Sequence, residues 1–292
     1  MYPARAPHVV ARSIALRTGV TLRIATTGPV DGLPVVMLPG WGASLYTYRH
    51  ALELLPRHGM RVIAVDLRGM GLSDKPTERN SYSLKTQLED LVALLDALEL
   101  ERAALVGQSM GGAIALQFAL RVPDRVTHLA LVNPAGLVSI GAVTLGRLSP
   151  QAVIDGLGRR VIPRWLIAFI LRRIAYGDAS LVTPADIDEY WAPSQLPGYA
   201  HGVRAALREF DWTPLSSSAA SSLATRTLVI LGDKDRLIHN TTACASRLAN
   251  SRVWWTSGGH CVHEEHPGAV YAELARFLNE GDFTVPLSAT MS

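Results

Sequence analysis

Short apolar runs and longer amphipathic stretches alternate along most of this 292-residue chain. The apolar runs are typical of strands buried in a parallel sheet. The predicted strands cover residues 34–38, 61–65, 103–106, 127–132, 227–231 and 252–255. The predicted helices cover residues 45–58, 83–98, 110–121, 241–249 and 267–279. This alternation predicts an α/β fold, a mostly parallel central sheet with helices on both faces.

Two local patterns add detail to this picture. Residues 12–27 alternate apolar and polar side chains about a Thr-Gly turn, which is typical of a hairpin. The 83–98 stretch repeats leucine on one helical face, and Ser83 before it is a good N-cap.

A long interruption separates the fourth and fifth of the predicted parallel strands. Residues 137–215 combine several prolines and tryptophans with helical and turn character, and they show no strand alternation. Because this segment lies between two strands of the sheet, we predict that it is a helical cap inserted over the sheet edge. The core then consists of 1–136 and 216–292, and the small polar run 216–222 marks the return to it.

Composition narrows the class of protein. The chain is 48% hydrophobic and 18% charged, which allows a large core and excludes disorder as the main state. The net charge of +3 comes without a basic run, so we expect no nucleic-acid partner.

The two cysteines, Cys244 and Cys261, are too few for disulfides to stabilise a fold of this size, which favours reduced thiols. The longest central apolar run, 165–171, is too short for a membrane span, and we expect a soluble, cytoplasmic monomer or homodimer.

The strongest chemical signal is the pentapeptide Gly107-Gln108-Ser109-Met110-Gly111, a G-x-S-x-G pattern between a predicted strand and a predicted helix. A sharp strand-to-helix turn strains the backbone and projects the serine hydroxyl from the sheet edge. Side chains would collide two residues before and after the serine, so glycine is needed at both positions. The sequence therefore predicts that Ser109 is a nucleophile.

A serine hydroxyl needs a base to take its proton, and an acid to orient that base. Both types of residue follow later strands, at the edge where the carboxyl ends of parallel strands meet. Asp233 and Asp235 follow the strand at 227–231, and His260 follows the strand at 252–255 behind two glycines. His263 and His266 are alternatives to His260 but are expected on the next turn and helix start, as solvated or capping residues. No metal-ligand spacing is present among these residues, so we expect no zinc and no other cofactor.

The chain contains five motifs in the order typical of the α/β-hydrolase superfamily, and it resembles that superfamily over nearly its whole length. The matching pieces are LPGWGAS (38–44), VDLRGMGLSDKP (65–76), VGQSMGG (106–112), GDKD (232–235) and GGH (258–260). The resemblance implies the family's fold with a helical cap. It also implies Ser109 as nucleophile, His260 as base, and Asp235, at the last place of G-x-x-D, as the acid rather than Asp233.

An oxyanion hole of two backbone N–H groups is expected beside this triad. One donor is Met110, which follows the nucleophile. The second is Trp41, in a loop where the family often has His-Gly-x and this chain has Pro39 before Gly40. The donor position depends on the shape of the backbone, so Trp41 is retained. The loop at 65–76 is assigned no chemistry.

The nucleophile narrows the reaction, because dehalogenases and epoxide hydrolases of this superfamily use aspartate in its place. Hydrolysis of an ester, thioester or lactone, cleavage of a C–C bond beside a ketone, and acyl transfer remain. We expect a small-molecule hydrophobic ester as substrate. The alternatives are a meta-cleavage-product C–C hydrolase, which needs a basic residue for a dienoate carboxylate, and a non-catalytic binding protein. The predicted substrate-binding residues are Trp165, Phe169, Trp191 and Trp212, for which packing within the cap is the alternative.

Overall fold

The computed structural model describes residues 1–4, 6, 8–141, 162–238 and 241–280. Its eight strands are β1 (Val10–Ala15), β2 (Thr21–Thr27), β3 (Leu33–Leu38), β4 (Met60–Val65), β5 (Ala103–Gln108), β6 (Val126–Val132), β7 (Thr227–Gly232) and β8 (Ser251–Thr256). They form one sheet in the order β1-β2-β4-β3-β5-β6-β7-β8. The pairs β1–β2 and β2–β4 are antiparallel, and every other pair is parallel. The predicted hairpin and mostly parallel sheet are therefore confirmed.

Ten α-helical segments accompany the sheet in the described part of the chain. They are α1 (Arg49–Leu54), α2 (Leu84–Ala97), α3 (Met110–Arg121), α4 (Arg164–Ile170), α5 (Pro184–Trp191), α6 (Tyr199–Glu209), α7 (Ser217–Ser221), α8 (Thr242–Ala245), α9 (Val262–Glu265) and α10 (Pro267–Asn279). A π-helical turn, Leu171–Ala175, continues α4. The 3₁₀ turns are Leu45–Tyr48, Leu55–His58, Pro123–Arg125, Ala179–Leu181 and Ala192–Gln195.

The sheet is covered on both faces, as the alternating pattern predicts. One hydrophobic cluster packs α2 and α3 against one face, and a second packs α1 and α10 against the other. The central strand β5 is buried along its whole length. Ser83 caps α2 as expected, its side chain accepting a hydrogen bond from Thr86 N. The sheet is thus held between two packed layers of helices.

Two predicted helices differ from the observed ones. The 45–58 stretch is helical throughout, but α-helical only in α1, between two 3₁₀ turns. The 241–249 stretch forms only the short α8, followed by turns in which Arg247 N and Leu248 N bond three residues back. These turns still bury Ala245 and Leu248. Apolar residues spaced three apart, such as these two, can be buried by successive turns as well as by a helix. The apolar spacing alone therefore could not show that the helix ends early.

Helices α4, α5 and α6 lie between β6 and β7 in the sequence, within the predicted cap. We refer to residues 162–209 as the inserted segment. Residues 142–161 of the predicted cap lie outside the described residues, and the boundaries 137–215 stay a prediction. None of the helices in the described ranges combines the length and apolarity needed to cross a bilayer.

Candidate active site

Ser109 occupies a strained turn between β5 and α3. Its backbone angles are φ 52° and ψ −116°, a conformation that costs a non-glycine residue about 1–3 kcal/mol. Hydrogen bonds on both sides hold this turn: Ser109 N donates to Val132 O (3.1 Å), and Ser109 O accepts from Ala113 N (3.1 Å) and Ala135 N (2.9 Å). The backbone is therefore fixed by the neighbouring strand and by the first turn of α3.

The two glycines of the motif are required by close backbone approach. A Cβ at Gly107 would lie 2.3 Å from Gly111 O, and a Cβ at Gly111 would lie 2.0 Å from Leu38 O. Both distances are far shorter than a van der Waals contact. The expectation that side chains would collide at these two positions is confirmed, and the second collision is with the end of β3.

His260 and Asp235 form a buried hydrogen-bonded pair. The His260 Nδ1 and Asp235 Oδ2 atoms are 2.8 Å apart, and the two residues are only 6% and 8% exposed. The other carboxylate oxygen accepts from Leu237 N (2.8 Å) and Ile238 N (3.1 Å). Burial alone would raise the pKa of Asp235, but these hydrogen bonds, above all that from His260, hold it below its usual value. The carboxylate thus stays ionised beside the ring.

Asp233 takes a different position. It is exposed, and its Oδ1 accepts a hydrogen bond from Gly258 N at 2.9 Å. Of the two candidate acids, the structure places Asp235 against the imidazole and Asp233 on the backbone of the glycine turn.

The side chains of Gln108 and Asn133 are additional site residues that sequence reasoning missed. Asn133 Nδ2 donates to Gly259 O (2.9 Å) and His260 O (3.1 Å), and Gln108 Nε2 donates to His260 O (3.3 Å). Asn133 Oδ1 also accepts from Gly232 N (2.9 Å). The available signal was position, since each amide follows or ends a parallel strand at the same sheet edge as the serine.

These amides connect the nucleophile turn to the histidine loop through the backbone. Ser109 Oγ itself makes no hydrogen bond to another described residue. Nucleophile–base hydrogen bonds are often long or poorly aligned until substrate is bound, so this arrangement is compatible with a serine–histidine pair.

The predicted oxyanion donors lie on two adjoining backbone segments. Met110 opens α3, so its N–H has no acceptor within the helix. A Cβ at Gly40 would lie 3.2 Å from Ser109 Cβ, which shows how closely the Trp41 loop approaches Ser109. In the described part of the chain, neither Trp41 N nor Met110 N donates to a protein acceptor. Both donors remain a prediction.

Helix α6 of the inserted segment holds the loop that carries Trp41. Trp41 Nε1 donates to Val203 O at 2.6 Å, and Tyr199 Oη donates to Gly42 O at 2.6 Å. Trp41 is 41% exposed, so its indole tethers the loop through this hydrogen bond rather than by packing in the core.

His263 is buried, and the expectation that it is solvated or capping is wrong. Thr47 Oγ1 donates to Glu264 Oε1 (2.7 Å), so the Nε2–H of His263 must donate to Thr47 Oγ1 (2.8 Å). Its Nδ1 has no hydrogen-bond partner within the described residues. Burial lowers the pKa of His263 to about 4, and the ring is neutral. His266 is partly exposed and precedes α10, as expected.

The four predicted substrate-binding aromatics do not form one enclosed wall. Trp165 and Phe169 lie on α4 and are 69% and 52% exposed. Trp191 Nε1 donates to Ile162 O (2.8 Å) within the inserted segment. Trp212 is buried in the core cluster, where its ring meets that of Phe210 edge-on at 4.9 Å. Trp212 thus packs in the core, and the substrate-binding role of the four residues stays a prediction.

Metal binding has no visible basis in the described ranges, where no three His, Cys, Asp or Glu side chains form a group suited to an ion. This edge of the sheet presents a serine in a strained turn together with a buried histidine–carboxylate pair.

Comparison with known proteins agrees with this architecture. A protein-family profile described as alpha/beta hydrolase fold matches residues 34–162. The chain is 28% identical to 2-hydroxymuconate semialdehyde hydrolase of Pseudomonas sp. (strain CF600), over 96% of this chain and 97% of that protein. It is 31% identical to the magnesium-chelatase 30 kDa subunit of Rhodobacter capsulatus, over 82% of this chain and 85% of that protein.

Among solved structures, a meta-cleavage product hydrolase from Pseudomonas fluorescens IP01 matches with a TM-score of 0.79 and 25% identity, covering 93% of this chain and 98% of that one. Similarity in sequence and in fold extends over nearly the whole length of the chain. The protein therefore belongs to the α/β-hydrolase family.

Proposed function

We propose that this protein is a serine hydrolase that cleaves carboxylic esters of small to medium hydrophobic acids through an acyl-enzyme intermediate. The observation that carries the proposal is the strained conformation of Ser109, at the sheet edge that also holds the buried His260–Asp235 pair. Strain of this kind persists only where the surrounding structure enforces it, and it exposes a hydroxyl that packing alone does not need.

The reaction follows from the orientation of the imidazole. Because the Nδ1–H of His260 donates to Asp235, the Nε2 atom is left as an acceptor. Nε2 takes the proton of Ser109 as Oγ attacks the ester carbonyl, and the N–H groups of Trp41 and Met110 stabilise the oxyanion. His260 then protonates the departing alcohol. Water, activated by the same ring, hydrolyses the acyl-enzyme and releases the acid.

Cleavage of a C–C bond beside a ketone is the second candidate. It is favoured by the similarity to 2-hydroxymuconate semialdehyde hydrolase and to the meta-cleavage product hydrolase structure. The same serine, base and oxyanion donors serve that reaction. A dienoate substrate also needs a cation for its carboxylate. The buried guanidinium of Arg49 does not fill this role, because it is already paired with Asp186 and Glu264.

The test is a stopped-flow assay with p-nitrophenyl esters of increasing acyl length. We expect a burst of one equivalent of p-nitrophenol followed by turnover, with an optimum chain length that measures the acyl pocket. Ser109→Ala should lose the burst and lower kcat by about 10⁴-fold or more. Ser218→Ala, at an exposed serine on α7, is the matched control and should behave as wild type.

Two other results would redirect the proposal. Absence of ester turnover in folded protein, with Ser109-dependent cleavage of vinylogous diketones, would establish the C–C hydrolase. Failure with both substrate classes, combined with tight binding of an apolar ligand, would favour a non-catalytic binding protein.

A further inference from the structure

Glu265, at the end of α9, has a carboxylate that joins two separate parts of the chain. Its Oε1 accepts from Gly259 N at 2.6 Å, in the loop that carries His260. Its Oε2 accepts from Gly177 N (2.9 Å) and Asp178 N (3.1 Å), in the turn that follows the π-helical end of α4. Glu265 is only 6% exposed. Three backbone donors therefore converge on one buried anion.

The two segments that Glu265 joins are also in direct backbone contact. Cys261 N donates to Ala175 O at 3.0 Å. A Cβ at Gly259 would lie 2.3 Å from Gly177 N, and a Cβ at Gly177 would lie 2.7 Å from Gly259 N. Glycine at both positions permits this approach, so the turn at 175–178 sits directly on the residue before His260.

The chemistry of the contact requires a carboxylate. An ionised Glu offers acceptors on both oxygens and no donor, whereas a Gln amide presents an NH₂ group on one side. An amide at position 265 can satisfy either the two N–H groups of the turn or the one of Gly259, but not both. We expect its oxygen to face the two donors of the turn, which leaves Gly259 N opposite an NH₂ group.

We propose that Glu265 is a positioning residue, which seats the His260 loop against the inserted segment and so keeps the imidazole in register with Ser109. Gln108 and Asn133 hold the carbonyls of this loop from the sheet side, and Glu265 holds its N–H from the opposite side. Docking of the inserted segment and alignment of the base are then coupled through one side chain. This inference rests on the proposed serine hydrolase chemistry.

The experiment compares Glu265→Gln with wild type in the p-nitrophenyl ester assay. A displaced base slows the chemical step, and we expect kcat to fall about 10- to 100-fold while KM changes little. The Nδ1 proton of His260, assigned by its loss in His260→Gln, should show a downfield resonance in wild type that broadens in Glu265→Gln. Asp178→Asn removes a charge from the same turn but keeps the three backbone hydrogen bonds that Glu265 accepts. The kcat and the Nδ1 resonance of this variant should therefore match wild type.

Several results decide the proposal. Unchanged kcat with an unchanged Nδ1 resonance would overturn it, and so would a lower Tm with neither readout altered. If Glu265→Gln does not fold, Gly177→Ala separates the turn from Gly259 without altering Glu265, and the same two readouts apply. If the wild type hydrolyses no ester, the proposed function fails, and the resonance alone still tests the position of His260.

Discussion

At the scale of single residues, the site depends on backbone positions that tolerate no side chain. Ser109 adopts a positive φ because Gly107 and Gly111 let β5 and α3 approach each other and the end of β3. Gly111 and Gly268 offer a direct comparison, since each is the second residue of a helix. A Cβ at Gly111 meets Leu38 O, whereas a Cβ at Gly268 meets nothing within 4 Å.

We therefore expect Gly111→Ala to displace α3 or β3, lowering Tm and abolishing ester turnover. Gly268→Ala should leave activity unchanged and raise the free energy of unfolding by up to about 1 kcal/mol, because alanine is the better helix former. Urea unfolding followed by circular dichroism compares the stabilities of the two variants. The p-nitrophenyl ester assay compares their activities. Equal stability of the two variants would contradict this account of the nucleophile turn.

At the scale of elements, a buried ionic cluster joins the inserted segment to the core. Arg49 on α1 pairs with Asp186 on α5 (2.8 Å) and with Glu264 on α9. Glu264 also accepts from Thr47 Oγ1 (2.7 Å) and Tyr176 Oη (3.1 Å). Burial alone would raise the pKa of Glu264, but Arg49 and the surrounding donors hold it below its usual value. One guanidinium thus pairs with carboxylates from two helices.

Removing Arg49 should be costly because it leaves both carboxylates buried without a cation. We expect Arg49→Met to lower the free energy of unfolding by about 3–5 kcal/mol. The control is Arg57→Met, which breaks an exposed pair with Glu53 and should cost about 0.5 kcal/mol or less. Urea denaturation at neutral pH distinguishes them, and a loss at Arg49 no greater than that at Arg57 would rule out the stabilising role of the cluster.

At the scale of the whole molecule, stability should depend on pH through His263. Its pKa of about 4 in the folded protein is below the ordinary value of about 6.5, so the unfolded chain binds more protons between these values. Stability is therefore complete above about pH 6.5 and falls as the pH is lowered toward 4, by about 3 kcal/mol in total. The lowered pKa values of Asp235 and Glu264 add a further loss at still lower pH, as those carboxylates become protonated.

His263→Gln tests this dependence, because a glutamine amide can still donate to Thr47 but does not titrate. Unfolding free energies measured from pH 7 to 4 should fall less steeply in the variant than in wild type. Parallel curves for the two proteins would assign the acid sensitivity to other groups.

The sequence alone determined most of the elements and the turn that carries Ser109. Alternating apolar runs and helical periods predict α3 and α10 over their observed ranges, because these periods reflect local backbone geometry. The G-x-S-x-G pattern predicted the strained turn at Ser109 for the same reason, since this turn is made by five consecutive residues. The mostly parallel sheet followed from the order of the elements.

Only the tertiary structure decided which groups meet at the site. Asp233 and Asp235 follow the same strand, and their different hydrogen-bond partners depend on how the turn after β7 faces the loop after β8. The contacts of Asn133 and Glu265 join residues distant in sequence, and His263 is buried against the 3₁₀ turn that carries Thr47 and Tyr48. Such contacts are set by strand register and by the packing of whole elements. The period of a single segment carries no information about either.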